Sequence, residues 1–141
     1  AHALLRRRNN KAQQPMNKPH ALPKSERLSS LTAVRRLFAD GASGFVYPFR
    51  YMVLKSESTT PTVEVLFSVP KRNHKRANKR NTLKRRMREA YRLNNDTLHA
   101  AIKEHGMDVD IAFVYSTKEL LPYKTIEHAV RRILAEVAEN M

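Results

Sequence analysis

Residues 71–92 read KRNHKRANKRNTLKRRMREAYR; half of these positions are Lys or Arg, and Glu89 is the single acid. A disordered basic tail could carry that charge. It would have no use for Leu83, Met87, Ala90 and Tyr91 recurring at helical spacing. The apolar stripe predicts a helix that docks on a core and carries its cations outward. On a helical projection of about 100° per residue, Leu83, Met87 and Ala90 fall together, with Tyr91 at their border. Arg80, Lys84, Arg88, Asn81, Arg92 and Arg85 occupy one arc running away from that stripe, whereas Lys79, Thr82 and Arg86 fall mostly on the other flank.

A solvated helix face normally mixes the signs of its charges, and this one does not. Like charges four residues apart, such as Arg80–Lys84 and Lys84–Arg88, oppose helix formation by roughly 0.2–0.5 kcal/mol each. A chain that tolerates this repulsion uses the surface, and guanidinium forks interleaved with lysine suit phosphate oxygens. Composition agrees: 27 Lys and Arg against 13 Asp and Glu give a net charge of +14, which calls for a polyanionic partner. Charge alone leaves RNA, DNA and anionic membrane open. Entry of the helix into a DNA groove lacks the usual support, because no heptad seam, zinc-ligand pattern or helix-turn-helix pair flanks it.

Working outward, the 141 residues predict one domain, from residue 24 to residue 141, behind a flexible basic extension over residues 1–23. The extension holds Arg6, Arg7, Arg8, Lys11 and Lys18, no acid, and prolines at 15, 19 and 23 that argue against one long helix. Ser29 or Ser30 caps a helix through about Phe38, ended by Gly41. FRYMVL at 49–54 puts Phe49, Tyr51 and Val53 on one strand face and Arg50 on the other. Ser56–Pro61 reads as a hairpin loop, and the alternating Val63, Val65, Phe67 and Val69 as a second strand, antiparallel to the first. After the basic helix, Asn94, Asn95 and Asp96 interrupt or reset the helix before Gly106. VDIAFVY then forms a strand, and Ile126, Ala129, Val130, Ile133, Leu134 and Val137 an amphipathic helix. The class is an α/β (α+β) two-layer sandwich, too small for a doubly wound fold.

Catalytic chemistry is not legible in these residues. Cysteine is absent, the six histidines are scattered, and no nucleophile-and-base set can be assembled. Asp108 and Asp110 form a D-x-D, which reads better as solvated acids than as a Mg²⁺ site. The expectation is therefore no catalytic residue and no metal ligand in the chain. No apolar run approaches the ~18 residues of a membrane span, and neither a secretory signal nor a membrane role is expected. The absence of cysteine fits a cytoplasmic protein.

The residues now carry a resemblance. Ser68-Val-Pro-Lys-Arg, Lys75-Arg-Ala, Arg80-Asn81, Leu83-Lys84-Arg85 and Arg88-Glu89-Ala90-Tyr91-Arg92 resemble the bacterial ribonuclease P protein subunit. That family's hallmark is Arg-Asn-Arg, an aliphatic residue, Lys and Arg, then Arg-Glu-Ala-aromatic-Arg. Thr82 departs from it where the third hallmark residue is Arg, on a position off the projected arc. The resemblance runs from about Leu22 to Val137, and Arg27, Leu28, Val34, Leu37, Phe38 and Gly41 are similar to the family's first helix, where an aromatic often replaces Val34.

The resemblance implies an αβββαβα order with a left-handed βαβ crossover, and hence a third strand contributed by Ala42–Val46 or by part of the loop. It implies a subunit that binds a catalytic RNA and the single-stranded 5′ leader of precursor tRNA, assisting endonucleolytic removal of the leader. The RNA subunit carries the hydrolysis with Mg²⁺, held mainly by the RNA and the substrate, and no obligate protein partner is expected. Arg76, Lys79, Arg80, Asn81, Lys84, Arg85, Arg88 and Arg92 are then the candidates for the catalytic RNA. Phe38, Phe49, Tyr51, Lys71 and Arg72 are those for the leader, in a cleft between the first helix and the sheet. The alternative is a noncatalytic structured-RNA binder of ribosomal type.

Overall fold

The computed structural model describes residues 26–28 and 30–141. The predicted extension over residues 1–23, and Ser29 as a cap, lie outside the described residues. Helix α1 spans Leu31–Asp40, capped by Ser30, whose hydroxyl accepts the Ala33 N–H at 3.3 Å. It runs two residues past Phe38, and the Gly41 N–H closes it on the Leu37 carbonyl at 2.9 Å. Strands β1 (Ala42–Val46), β2 (Phe49–Glu57) and β3 (Val63–Ser68) follow, then α2 (Ala77–Asn94), α3 (Asp96–His105), β4 (Met107–Tyr115) and α4 (Tyr123–Glu139). The third strand lies at Ala42–Val46, one of the two places expected. Strand β2 continues through Ser56 and Glu57, so the loop before β3 is shorter than predicted. The break at Asn95 separates α2 from a further helix, α3, which Gly106 ends in a left-handed turn at φ 65°.

The sheet order is β1-β2-β4-β3, with β3 and β4 parallel and the other pairs antiparallel. The expected antiparallel pairing of β2 with β3 is therefore wrong, because β4 inserts between them. The physical reason lies in β4. Val109, Ile111, Ala112, Phe113 and Tyr115 are all buried, so side chains from both of its faces need cover. A central position places its two faces under the packed layers, α2 and α4 on one side and α1 on the other. The Ser58 N–H binds the Gly106 carbonyl at 2.8 Å, tying the β2–β3 loop to the start of the strand it crosses.

Strand alternation divides the sheet into two unequal faces. On one, Phe49, Val53, Val65, Ile111, Phe113 and Tyr115 pack against Leu83, Met87, Ala90 and Tyr91 of α2 and Ile126, Val130, Ile133 and Leu134 of α4. Phe49 meets Phe113 and Tyr115 edge-on at 5.9 Å, and Phe67 stacks on Phe113 at 5.4 Å. This is the two-layer sandwich. The other face carries a smaller core of Leu28, Leu37 and Ala112, with Val34, Met52, Leu54 and Leu66 packed around it under α1. Helix α1 thus covers only part of its face, and the rest of that face is open.

Candidate nucleic-acid interface

The predicted stripe is the buried side of α2: Leu83, Met87, Ala90 and Tyr91 are all fully buried. Tyr91 anchors twice, by its ring against Phe67 and by its hydroxyl, which donates to Glu26 at 3.1 Å. Burial pushes the Tyr91 phenol up, and the nearby Glu26 carboxylate adds to the effect. With the stripe fixed against the sheet, the cations of α2 are forced into defined places, and they divide into two sets.

The first set is bound within the protein. Arg80 donates to the His74 and Lys75 carbonyls at 3.0 and 2.8 Å, pinning the 71–76 loop to the first turn of α2. His74 is buried in that loop, 2.9 Å from the Thr117 carbonyl. A carbonyl can only accept, so Nε2 carries the proton there. Arg86 donates to the Leu121 carbonyl at 2.6 Å, on the flank facing α4. Arg92 forms a bidentate pair with Glu89 at 2.8 and 2.6 Å. Arg80 and Arg92 were both expected on the RNA-facing arc; the structure spends much of their hydrogen-bonding capacity on the fold itself.

The second set has no such ties. Arg76, Lys79, Lys84, Arg85 and Arg88 make no ion pair with a described residue. Arg76, Lys79, Asn81, Arg85 and Arg88 are exposed and Lys84 is half-buried. Helix α2 has no acid in its first turn and no side-chain cap, although a helix N-terminus is itself electropositive. Its cations therefore repel one another and the dipole together, a stress that a polyanion relieves. Thr82, the departure from the hallmark, is half-buried and donates its hydroxyl to the Asn78 carbonyl at 2.9 Å.

The residues proposed for the leader separate by strand face. Phe49 is fully buried in the main core and offers no ring face to a ligand, so that assignment is corrected. Tyr51 lies on the same side and is half-buried; its hydroxyl donates to Glu136 of α4 at 2.8 Å. Burial, with the Glu136 hydrogen bond and charge, pushes its phenol up to about 12. Neither faces α1. The open part of the other face carries a row that alternation had hidden: Phe45 opposite Arg50, Arg50 opposite Val114, and Val114 opposite Ser68. Phe45 is 59% exposed, Arg50 is exposed, and on α1 Phe38 is 44% exposed. Lys71 and Arg72, both exposed, follow three and four residues beyond Ser68 at this same end of the sheet. Phe45 and Arg50 are thus exposed candidates on this face that sequence reading did not name, and the parity of β2 was the signal.

Asp108 and Asp110 both lie within β4. The Asp108 carboxylate accepts the Thr62 N–H and hydroxyl at 2.9 and 3.2 Å, which occupies one of its oxygens in holding the start of β3. Burial raises the Asp110 carboxyl, with Arg36 working against the shift. Among the described residues no three His, Asp or Glu side chains converge where a metal ion could be held. None of the described helices is long and apolar enough to cross a membrane.

Comparisons with known proteins point in one direction. The sequence profile of the family described as Ribonuclease P matches residues 22–138. The chain is 38% identical over 121 residues to the ribonuclease P protein component of Porphyromonas gingivalis, covering 85% of this chain and 88% of that one. It is 36% identical over 132 residues to the component of the same name from Chlorobaculum tepidum, covering 86% and 85%. In fold it is similar to a Staphylococcus aureus RNase P protein mutant with defective mRNA degradation activity, with a TM-score of 0.63 at 19% identity over 81% of this chain and 89% of that one. The chain belongs to the ribonuclease P protein family.

Proposed function

We propose that this chain binds the catalytic RNA of ribonuclease P through α2 and steadies the 5′ leader of precursor tRNA on the open sheet face, in the cytoplasm. The observation that carries the proposal is the division of cations on α2. Arg80, Arg86 and Arg92 are tied to carbonyls or to Glu89, while Lys84, Arg85 and Arg88 stand together without a described partner. An RNA backbone supplies the missing anions, and counterion release supplies much of the affinity.

On the leader side, the Phe45–Arg50–Val114–Ser68 row runs across all four strands. At a strand spacing of about 4.8 Å the row is about 14 Å long. A single strand of RNA laid along it meets an exposed aromatic ring for stacking and the cations Arg50, Lys71 and Arg72 for its phosphates. Phe38 contributes from α1.

The chain's own role in cleavage is binding and orientation. Mg²⁺ is the group that supplies the hydrolytic chemistry, and the RNA and substrate hold it in this reading. The described acids do not fit it: they form no converging set, and Asp108 is already engaged with Thr62. Reconstitution tests the proposal. Adding this protein to its cognate RNA at low Mg²⁺ should increase cleavage of leader-bearing precursor tRNA, and the absence of any gain would remove the reading in favour of a noncatalytic RNA binder.

A further inference from the structure

Residues 26–28 run along the outer edge of β3. Arg27 bridges to Val65 in parallel register, and the Leu28 N–H binds the Val65 carbonyl at 2.8 Å. This short stretch does not close the edge completely. Between it, β3 and α2 lies a groove of about 370 Å³ lined by Arg27, Leu28, Val65, Leu66, Phe67, Lys84 and Arg88, at the low end of the roughly 300–1,000 Å³ that small-ligand sites occupy. Three cations stand around it, and the β3 edge with half-buried Phe67 lines its base.

Arg27, Lys84 and Arg88 come from two separate parts of the chain, and none makes an ion pair with a described residue. Three such charges around one groove repel each other, so the groove is complementary to an anion. A bare phosphate would need only the cations. Strand alternation turns Leu66 to the face under α1, so half-buried Phe67, on the same face as α2, is the apolar surface the groove offers to the flat face of a base. The β3 edge adds hydrogen-bonding capacity. The Val65 carbonyl points outward to meet Leu28, so by the two-residue period of a strand the Phe67 N–H and carbonyl point outward too.

We propose that this groove binds one unpaired nucleotide of an RNA, its phosphate held by Arg27, Lys84 and Arg88 and its base seated against the Phe67 ring. The inference rests on the RNA-binding reading above and deepens it. Arg27 becomes part of the interface although it lies outside α2, and the interface becomes selective for a position where the RNA offers an unstacked base. A duplex cannot enter, because its bases are stacked and only its backbone would reach the rim.

The chain has no cysteine, so Arg27→Cys provides a single attachment point for a photoreactive group. Crosslinking in the complex of full chain, cognate RNA and precursor tRNA should mark an unpaired nucleotide; its location in the catalytic RNA or in the precursor identifies the source. In parallel, Arg27→Gln and Lys84→Gln should each weaken RNA binding about 10-fold or more and lower the salt slope by about 0.7. Exposed Arg132 of α4, replaced by Gln, is the control. The proposal is overturned if Arg27→Gln binds with unchanged affinity and slope while wild-type protein still assists cleavage, or if the crosslink falls only on paired nucleotides. Failure of the wild-type protein to assist its RNA is a different result: it removes the underlying reading, and the proposal with it.

Discussion

Arg85 and Arg86 are neighbours in sequence with opposite employment, and exchanging them one at a time should separate binding from stability. The Arg86 guanidinium is half-buried and donates to the Leu121 carbonyl at 2.6 Å, holding the β4–α4 connection to α2. Arg86→Met keeps the length of the side chain but leaves that carbonyl unpaired. A hydrogen bond involving a charged group contributes about 1.5–3 kcal/mol, and for a domain of this size each kcal/mol moves the melting temperature by roughly 3–6 °C. Arg86→Met should therefore melt about 5–15 °C lower, with its salt slope for RNA binding nearly unchanged. Arg85 is exposed and has no described partner. Arg85→Gln should leave stability within about 0.5 kcal/mol of wild type but remove one phosphate contact, lowering the slope by about 0.7–0.9. Between 50 and 200 mM salt, the wild-type advantage in affinity should then shrink about 3-fold. Differential scanning fluorimetry and a salt series of filter-binding measurements read the two effects separately. The reasoning is refuted if Arg85→Gln lowers the melting temperature as far as Arg86→Met, or if Arg86→Met flattens the salt dependence as Arg85→Gln does.

Phe45→Ala should weaken binding of leader-bearing precursor about 5- to 100-fold if a base stacks there, and leave binding of mature tRNA unchanged; equal losses for both would place the leader elsewhere. Arg50→Gln should act in the same direction, in the same comparison. Gly106 sits at φ 65° with room for a methyl group, so Gly106→Ala should cost about 1–2 kcal/mol, read as a lower urea midpoint with the denaturant slope retained. The Tyr51 phenol is raised from 10.0 to about 12 in the folded chain. Its contribution to stability is full below pH 10 and is lost as pH rises through about 12. Tyr51→Phe should flatten, without abolishing, the alkaline loss of stability, because Tyr91, Tyr115 and Tyr123 are also raised; an unchanged alkaline profile would show that Tyr51 ionises freely.

Much of the fold was legible because its periods are local. The stripe on α2 needed only Leu83, Met87, Ala90 and Tyr91 at helical spacing, and all four are buried. Gly41 and Gly106 marked helix ends for the same local reason. Strand neighbours are another matter. Nothing within β2 or β3 says that β4, more than forty residues later, inserts between them, and the short β2–β3 loop invited a hairpin. The assignment of Phe49 to a leader-binding face failed for a related reason. Alternation put Phe49, Tyr51 and Val53 on one side and Arg50 on the other, but not which side would be covered. The larger helical layer took the aromatic side, and the side carrying Arg50 was left open.

By itself, then, the sequence carried the signal for a polyanionic partner and for the cationic helix proposed to meet it. Net charge, an all-cationic helix face and the hallmark spacing are properties of residue type and order, and they survive any arrangement of the remaining elements. Only the tertiary structure decided which cations remain available. Arg80, Arg86 and Arg92 find acceptors in His74, Lys75, Leu121 and Glu89; Arg27, distant in the chain, arrives beside Lys84 and Arg88. A hydrogen bond to a carbonyl depends on where the chain returns in space, and spacing along one helix cannot encode that.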